Sequence, residues 1–196
     1  MRDIIIATNN AGKLREFEAM LQALGFKALP QSAFHVPEAD EPYPTFVENA
    51  LAKARNAALH AGMPAIADDS GICAHALHGA PGVLSARYAG EPKSDARNNH
   101  KLVQALKDCA DRSAYYYAAL VLVRHADDPQ PLIAEGRWAG EVITEPRGAG
   151  GFGYDPHFWL PDLHKTAAEL DAREKNLVSH RGKALRRLAA LIQEQW

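Results

Sequence analysis

Several short segments of this chain carry side chains of the kinds that bind or cleave charged molecules. Thr8-Asn9-Asn10-Ala11-Gly12-Lys13 sets hydroxyl, amide and ammonium groups around a glycine, between an apolar run and a helical pattern. A helix opening there would offer free N–H groups and the positive end of its dipole. With Thr8, Asn10 and Lys13 beside them, and Gly12 allowing close backbone approach, those groups suit a polyphosphate. The same residues also fit a loop with an asparagine cap and a solvated lysine. No G-x-x-x-x-G-K-[ST] occurs, so the standard phosphate-binding loop is absent.

Asp68-Asp69-Ser70-Gly71 stand at the end of a second apolar run. Neighbouring strand residues point to opposite faces, so in extended chain only one of the two carboxylates faces a given site. A Pro-rich acidic loop supplies Glu38, Asp40 and Glu41 as candidate second ligands. Two carboxylates from separate segments suit Mg²⁺, which keeps much of its shell for water and phosphate oxygens. One of them can also act as general base on a water. The plain alternative is an acid pair in a turn beside a solvated loop. Glu48 reads as the capping partner of Thr45 rather than as a ligand.

Gly148-Ala149-Gly150-Gly151-Phe152-Gly153-Tyr154-Asp155-Pro156 contains a literal G-x-G-x-x-G, but late in the chain and followed by Tyr-Asp-Pro. A dinucleotide fold needs that motif directly after its first strand and opening a helix, so that reading is rejected. The segment either presents Phe152 or Tyr154 as a platform for a ring or forms a hairpin with two core aromatics. Lys175 and Ser179-His180-Arg181-Gly182-Lys183 place positive charge at the start of the last helix. The helix dipole disfavours cations there by ~0.3–1 kcal/mol each. The arrangement makes sense if they face an electron-rich ligand; otherwise it is a basic solvated face running on through Arg186 and Arg187. His75 and His78 lack a third ligand and read as a solvated loop. Cys73 and Cys109 form no C-x-x-C and read as reduced thiols.

The elements that must position these groups follow from periodicity and punctuation. Asp3 to Ala7 reads as a buried strand. Leu14, Phe17, Leu21 and Leu24 recur at helical spacing, and Gly25 closes that helix. Residues 30–44 read as an extended acidic loop, followed by an alanine-rich helix from Thr45 to about Ala61. Pro64 to Ala67 reads as a short strand that Asp68 ends. A Gly/Pro-punctuated loop covers 79–92, and Ser94 caps a helix to about Lys107. Tyr115 to His125, Leu132 to Trp138 and Glu141 to Thr144 read as an antiparallel meander. Ser179 caps a last helix with the stripe Leu185, Leu188, Leu191 and Ile192. The order predicts an α/β fold with a mixed sheet.

The length of 196 residues fits one domain, read as 1–196. Hydrophobic residues at 47% and charged residues at 23% are those of a globular protein. Lys and Arg total 22 against 24 Asp and Glu, a net charge of −2, which is not the balance of a dedicated nucleic-acid binder. No apolar run approaches the ~18–20 residues that cross a bilayer, and the run at Ile4-Ile5-Ile6 is too short for a signal-peptide core. The expected setting is cytoplasmic, with neither membrane nor nucleic acid as partner.

Taken together, these segments resemble the non-canonical purine nucleoside triphosphate pyrophosphatases, the inosine/xanthosine triphosphate pyrophosphatase family. The likeness rests on T-x-N-x-x-K (Thr8 to Lys13), T-F-x-E-N-A-x-x-K-A (Thr45 to Ala54) and A-D-D-S-G (Ala67 to Gly71). It continues through P-G-x-x-S-A-R-Y-A-G (Pro81 to Gly90), G-F-G-Y-D-P (Gly151 to Pro156) and S-H-R-G-x-A-L (Ser179 to Leu185). The resemblance implies hydrolysis of ITP, dITP and XTP to the monophosphate and pyrophosphate with Mg²⁺. It implies that Thr8, Asn9, Asn10, Ala11, Gly12 and Lys13 bind the triphosphate and that Glu41 and Asp69 hold the metal. Asp69 is then the proton acceptor for water. Ser70, Phe152, Gly153, Tyr154, Asp155, Lys175, His180 and Arg181 contact the nucleotide, and Lys53 reaches a phosphate. The implied fold is an elongated, two-lobed α/β molecule with a central mixed sheet flanked by helices and an active-site cleft between lobes, working as a homodimer. Two rival readings are a catalytically silent purine-nucleotide sensor and a pyrophosphatase for modified pyrimidine nucleotides.

Overall fold

The computed structural model describes residues 2–196, apart from the side chains of Ala11, Glu16 and Ala19. Its backbone forms a seven-stranded sheet in the order β2-β1-β3-β4-β5-β6-β7. The strands are β1 (Arg2–Ile6), β2 (Phe26–Pro30), β3 (Ala65–Ala74), β4 (Ser113–Val123), β5 (Leu132–Val142), β6 (Phe158–Leu160) and β7 (Lys165–Thr166). The helices are α1 (Ala11–Ala23), α2 (Phe46–Ala61), α3 (Asp95–Ala105), α4 (Ala172–Val178) and α5 (His180–Gln195). β1 runs parallel to β2 and β3, whereas β5–β6 and β6–β7 are antiparallel, so the sheet is mixed as expected.

The chain divides into two compact units, Met1–Asp69 with Ala118–Glu135 and Ala184–Trp196, and Ser70–Tyr117 with Gly136–Lys183. In the first, alternation along β1 sends Ile4 and Ile6 to one face and Ile5 and Ala7 to the other. Ile4 and Ile6 pack with Phe17, Leu21, Ile66, Leu120, Leu122 and the α5 stripe of Leu185, Leu188 and Ile192. Ile5 and Ala7 pack with Ala65, Ala67, Val121 and Val123 against Ala50, Ala54, Ala57 and Ala58 of α2. A strand buried on both faces needs a continuous apolar run, which is why three isoleucines stand in sequence. The small stripe on α2 lets that helix lie close to the sheet and brings Lys53, on the same helix, near β3.

The second unit is built around Ile72, Leu102, Leu106, Tyr116, Trp138, Tyr154, Phe158 and Leu160. Ser94 caps α3, its side chain accepting from the Arg97 N–H. Asp171 and Glu174 form a reciprocal capping box on α4. Ser179 separates α4 from α5, accepting the Gly182 N–H on its hydroxyl at 3.1 Å. It thereby caps the last helix as the sequence predicts.

Four expectations change. β2 occupies a stretch that gave no strand signal; it is an edge strand ending at Pro30, where loss of a ladder donor is tolerated. β3 does not stop at Ala67 but runs through Asp68-Asp69-Ser70-Gly71 to Ala74, with both acids buried and paired with lysines. The strands expected at Leu132 to Trp138 and Glu141 to Thr144 are one strand, and the next strand of the antiparallel run is β6. Gly140 does not break β5, because it lies where the Trp159 carbonyl and the Phe158 ring come too close for a Cβ. Lys175 belongs to the separate helix α4, not to the start of the last one.

Gly182 lies against the Asn176 carbonyl oxygen, and a Cβ built there would overlap it. Gly182→Ala should therefore destabilise the fold by roughly 1–3 kcal/mol, seen as a fall of several degrees in Tm. An unchanged Tm would mean that the α4–α5 joint is not tightly packed.

Candidate active site

In the first unit the side chains converge on Lys53. Its Nζ lies 2.8 Å from Glu41 Oε1 and 3.0 Å from Asp69 Oδ1. It also donates to the Asp68 carbonyl oxygen at 2.9 Å. These partners use all three donors of an ammonium group. Asn49, one helical turn earlier, is buried and donates to Asp69 Oδ2 at 3.4 Å. The same amide donates to the Tyr43 carbonyl and accepts the Tyr43 N–H, each at 3.0 Å. Asn56 donates to the Pro37 carbonyl at 2.8 Å. The acidic loop is thus tied to α2 on both sides of Glu41. Glu41 is half-buried at Lys53, whereas Glu38 and Asp40 are exposed.

Asp68 points to the other side of β3, as strand alternation requires, and meets Lys13 at 2.7 Å. Lys13 is therefore an ion-paired group, not a solvated one. Asn10 caps α1, its Oδ1 accepting from Gly12 N at 2.9 Å and Lys13 N at 3.0 Å. Thr8 Oγ1 accepts the Asn10 N–H at 3.2 Å, and Asn9 Oδ1 accepts from Gln31 at 2.9 Å. The Ala11 side chain lies outside the described residues. Thr45 and Glu48 bond to each other at the start of α2, at 2.5 Å between side chains, so Glu48 stays a capping residue.

Charge follows from this crowding. Burial pushes the Asp69 carboxyl above its ordinary range; Lys53 opposes the rise, and Glu41 and Asp68 add to it. Burial alone would lower Lys53, but Asp69, Glu41 and Asp68 outweigh it and hold the ammonium above its ordinary value. Glu41 and Asp69 thus turn carboxylate oxygens, the donor type a hard divalent cation takes, toward one shared cation, which here is the Lys53 ammonium. Among the described residues no group of three or more His, Cys, Asp or Glu converges as a fuller metal cage. His75 is engaged with Ser113 and Arg137, and both cysteines are free thiols.

In the second unit a separate group forms around Asp155, which is buried. Its Oδ2 accepts from Lys175 Nζ at 2.5 Å and from the Phe152 N–H at 2.8 Å. Its Oδ1 accepts from the Tyr116 hydroxyl at 3.2 Å. Gly151 has φ +72° and sits against the same carboxylate, where a Cβ would overlap it. The two aromatics of this loop divide the roles proposed for them. Phe152 is 39% exposed, with Lys175 Nζ 4.7 Å and Arg181 Cζ 5.9 Å from its ring centre. Tyr154 is a core residue whose hydroxyl donates to the Ser85 carbonyl at 2.7 Å, so its ring is not a platform. Gly153 is clamped by α3: Asp95 accepts its N–H and Asn99 donates to its carbonyl, both at 2.8 Å.

His180 and Arg181 open α5 and are 6% and 3% exposed. Arg181 donates to Ser70 Oγ at 3.1 Å. The His180 imidazole stacks on Tyr116 at 4.7 Å and 9°. Asn49, Tyr116, Asp95 and Asn99 are the contacts that the sequence reading missed. Three carried a signal. Asn49 stands four residues before Lys53 and beside the alanine stripe of α2, and Asp95 and Asn99 share a face of α3 at the same spacing.

The Ham1 family pattern matches residues 4–191. A dITP/XTP pyrophosphatase of Nitrosomonas europaea is 63% identical over 194 residues, covering 99% of this chain and 96% of its own. The dITP/XTP pyrophosphatase of Ralstonia nicotianae is 66% identical over 191 residues, covering 96% and 95%. The solved structure of a HAM1 protein from Coxiella burnetii superposes with a TM-score of 0.94 at 48% identity, covering 99% of this chain and all of that one.

The raised Asp69 carboxyl has a consequence for stability. A carboxyl held above its ordinary 3.8 contributes stability in its neutral form, and that contribution is lost as pH rises through the raised value. Asp69→Asn, measured without divalent cations at pH 7, should therefore unfold at a temperature no lower than the parent. Adding Mg²⁺ should raise the Tm of the parent more than that of the variant. A variant clearly less stable than the metal-free parent would contradict this account of the site's charge.

Proposed function

The chain belongs to the Ham1 family, and from that premise we infer what its two groups of residues do. The protein hydrolyses non-canonical purine nucleoside triphosphates, ITP, dITP and XTP, to the monophosphate and pyrophosphate, removing them from the nucleotide pool. The observation that carries this reading is the meeting of Glu41 and Asp69 at Lys53, in a chain 63% identical to a dITP/XTP pyrophosphatase.

The triphosphate is assigned to the first unit. Thr8 to Lys13 bind it at the start of α1, and the ammonium groups of Lys13 and Lys53 offset its charge. Glu41 and Asp69 hold Mg²⁺, which when bound neutralises the phosphate oxygens and the departing pyrophosphate. Asp69 accepts a proton from the attacking water as general base. The water attacks the α-phosphorus, the bond to the bridging oxygen breaks, and pyrophosphate leaves.

The base is assigned to the second unit. Phe152 offers an exposed ring for stacking, worth ~1–3 kcal/mol. Arg181 and His180 donate to the 6-oxo edge of the purine, with Ser70, Asp155, Lys175 and the Gly153–Tyr154 backbone setting their places. Adenine presents an amino donor at that edge, so it would leave buried donors unpaired. We further propose that residues 1–196 act as one domain, that the protein works as a cytoplasmic homodimer, and that neither nucleic acid nor a membrane is its partner. Among the described residues no helix is long and apolar enough to cross a membrane.

The test is pyrophosphate release from ITP and ATP by the parent and two variants. The parent should yield pyrophosphate from ITP and little from ATP; orthophosphate with a diphosphate product would contradict the reaction. Arg181→Ala should lower kcat/KM for ITP by ~1–3 kcal/mol and change ATP much less. Lys13→Ala should weaken both alike. Equal losses for the two substrates in Arg181→Ala would move base recognition away from that residue.

A further inference from the structure

We propose that Tyr116 is a positioning residue for base recognition, a single side chain that orients both the His180 imidazole and the Asp155 carboxylate. The proposal rests on the reading of those two residues as nucleotide contacts. Tyr116 lies on β4 in the second unit, 8% exposed. Its ring and the imidazole are nearly parallel, with centres 4.7 Å apart. Trp138 lies nearly parallel to the same imidazole at 6.3 Å and 17°. Phe158 meets Tyr116 edge-on at 4.6 Å and 63°, so the phenol is itself held in place. An imidazole seated on such a surface cannot tilt without losing the stack, and the direction of its N–H groups is set with it.

The hydroxyl does a second job. Asp155 Oδ2 already takes two donors, Lys175 and the Phe152 N–H. The carboxylate turns about its Cβ–Cγ bond as one plane, so the Tyr116 hydroxyl at Oδ1 adds, on the opposite edge, a third donor against a rotation that the two at Oδ2 already oppose. Burial and the charge of Asp155 hold the phenol well above its ordinary range, so it remains a donor at neutral pH. A residue needed only to fill space here could be a phenylalanine. The hydroxyl must instead find a partner in the core, and that partner is the acid that anchors Phe152 and Lys175.

Two variants separate the handles. Tyr116→Phe keeps the ring and removes the hydroxyl; Tyr116→Leu removes both. Each is assayed for pyrophosphate release from ITP and ATP, with Tm measured alongside. Tyr116→Phe should keep a Tm near the parent and kcat for ITP within about twofold. Its KM for ITP should rise by roughly threefold to tenfold, because ground-state binding is what weakens. ATP should change little. Tyr116→Leu should narrow the ITP-over-ATP preference further, by roughly tenfold to a hundredfold, and if it fails to fold the Phe variant decides alone. An unchanged KM for ITP in Tyr116→Phe, or equal losses for ITP and ATP in either variant, would overturn the proposal, since packing alone predicts equal losses. A parent that does not prefer ITP to ATP would instead overturn the functional reading, and this proposal with it.

Discussion

The ammonium of Lys53 is the point on which the first unit depends. Two carboxylates from distant parts of the chain, Glu41 in the acidic loop and Asp69 in β3, lie within 3.0 Å of it. Like charges brought that close repel unless a cation stands among them. The rest of the unit serves that arrangement. The alanine stripe lets α2 lie on the sheet. Asn49 and Asn56 hold the loop that carries Glu41. β3 runs straight past its two acids because each has a lysine to meet. The geometry is ready for charge before any ligand arrives, and preorganisation of this kind is the largest contribution a fold can make to phosphoryl-type chemistry.

The second unit solves a related problem with a different centre. Asp155 is a buried acid answered by Lys175, and its remaining capacity orders the loop around it through Phe152 and Tyr116. Helix α5 begins with His180 and Arg181, and its dipole disfavours the guanidinium there. Their places are fixed by aromatic stacking and by Ser70. The Arg181 guanidinium is set against the dipole at a buried helix start, where burial and local electrostatics both oppose it, and this local conflict is what motivates its proposed role.

The parts of this architecture that local chemistry dictates were legible in the sequence. Isoleucines in sequence gave β1, a capping box before an alanine-rich stretch gave α2, and Asn10, Thr45, Ser94 and Ser179 gave the caps. The order of motifs named the family. The parts that long-range partners dictate were not legible. Nothing next to Asp68 and Asp69 says that Lys13 and Lys53 will neutralise them, so the pair looked like the end of a strand. Phe26 to Pro30 reads as no strand until β1 supplies its ladder. Residues 172–178 are too few for a helical period to show. The division between an exposed Phe152 and a core Tyr154 depends on Ser85, far away in sequence.

The reaction turns on one point, that water attacks the α-phosphorus of the purine triphosphate. Hydrolysis of ITP in ¹⁸O-labelled water, with mass analysis of both products, tests it most directly. Attack at the α-phosphorus places the label in the monophosphate and leaves the pyrophosphate unlabelled. Label in the pyrophosphate would put the attack on the β-phosphorus and contradict the account.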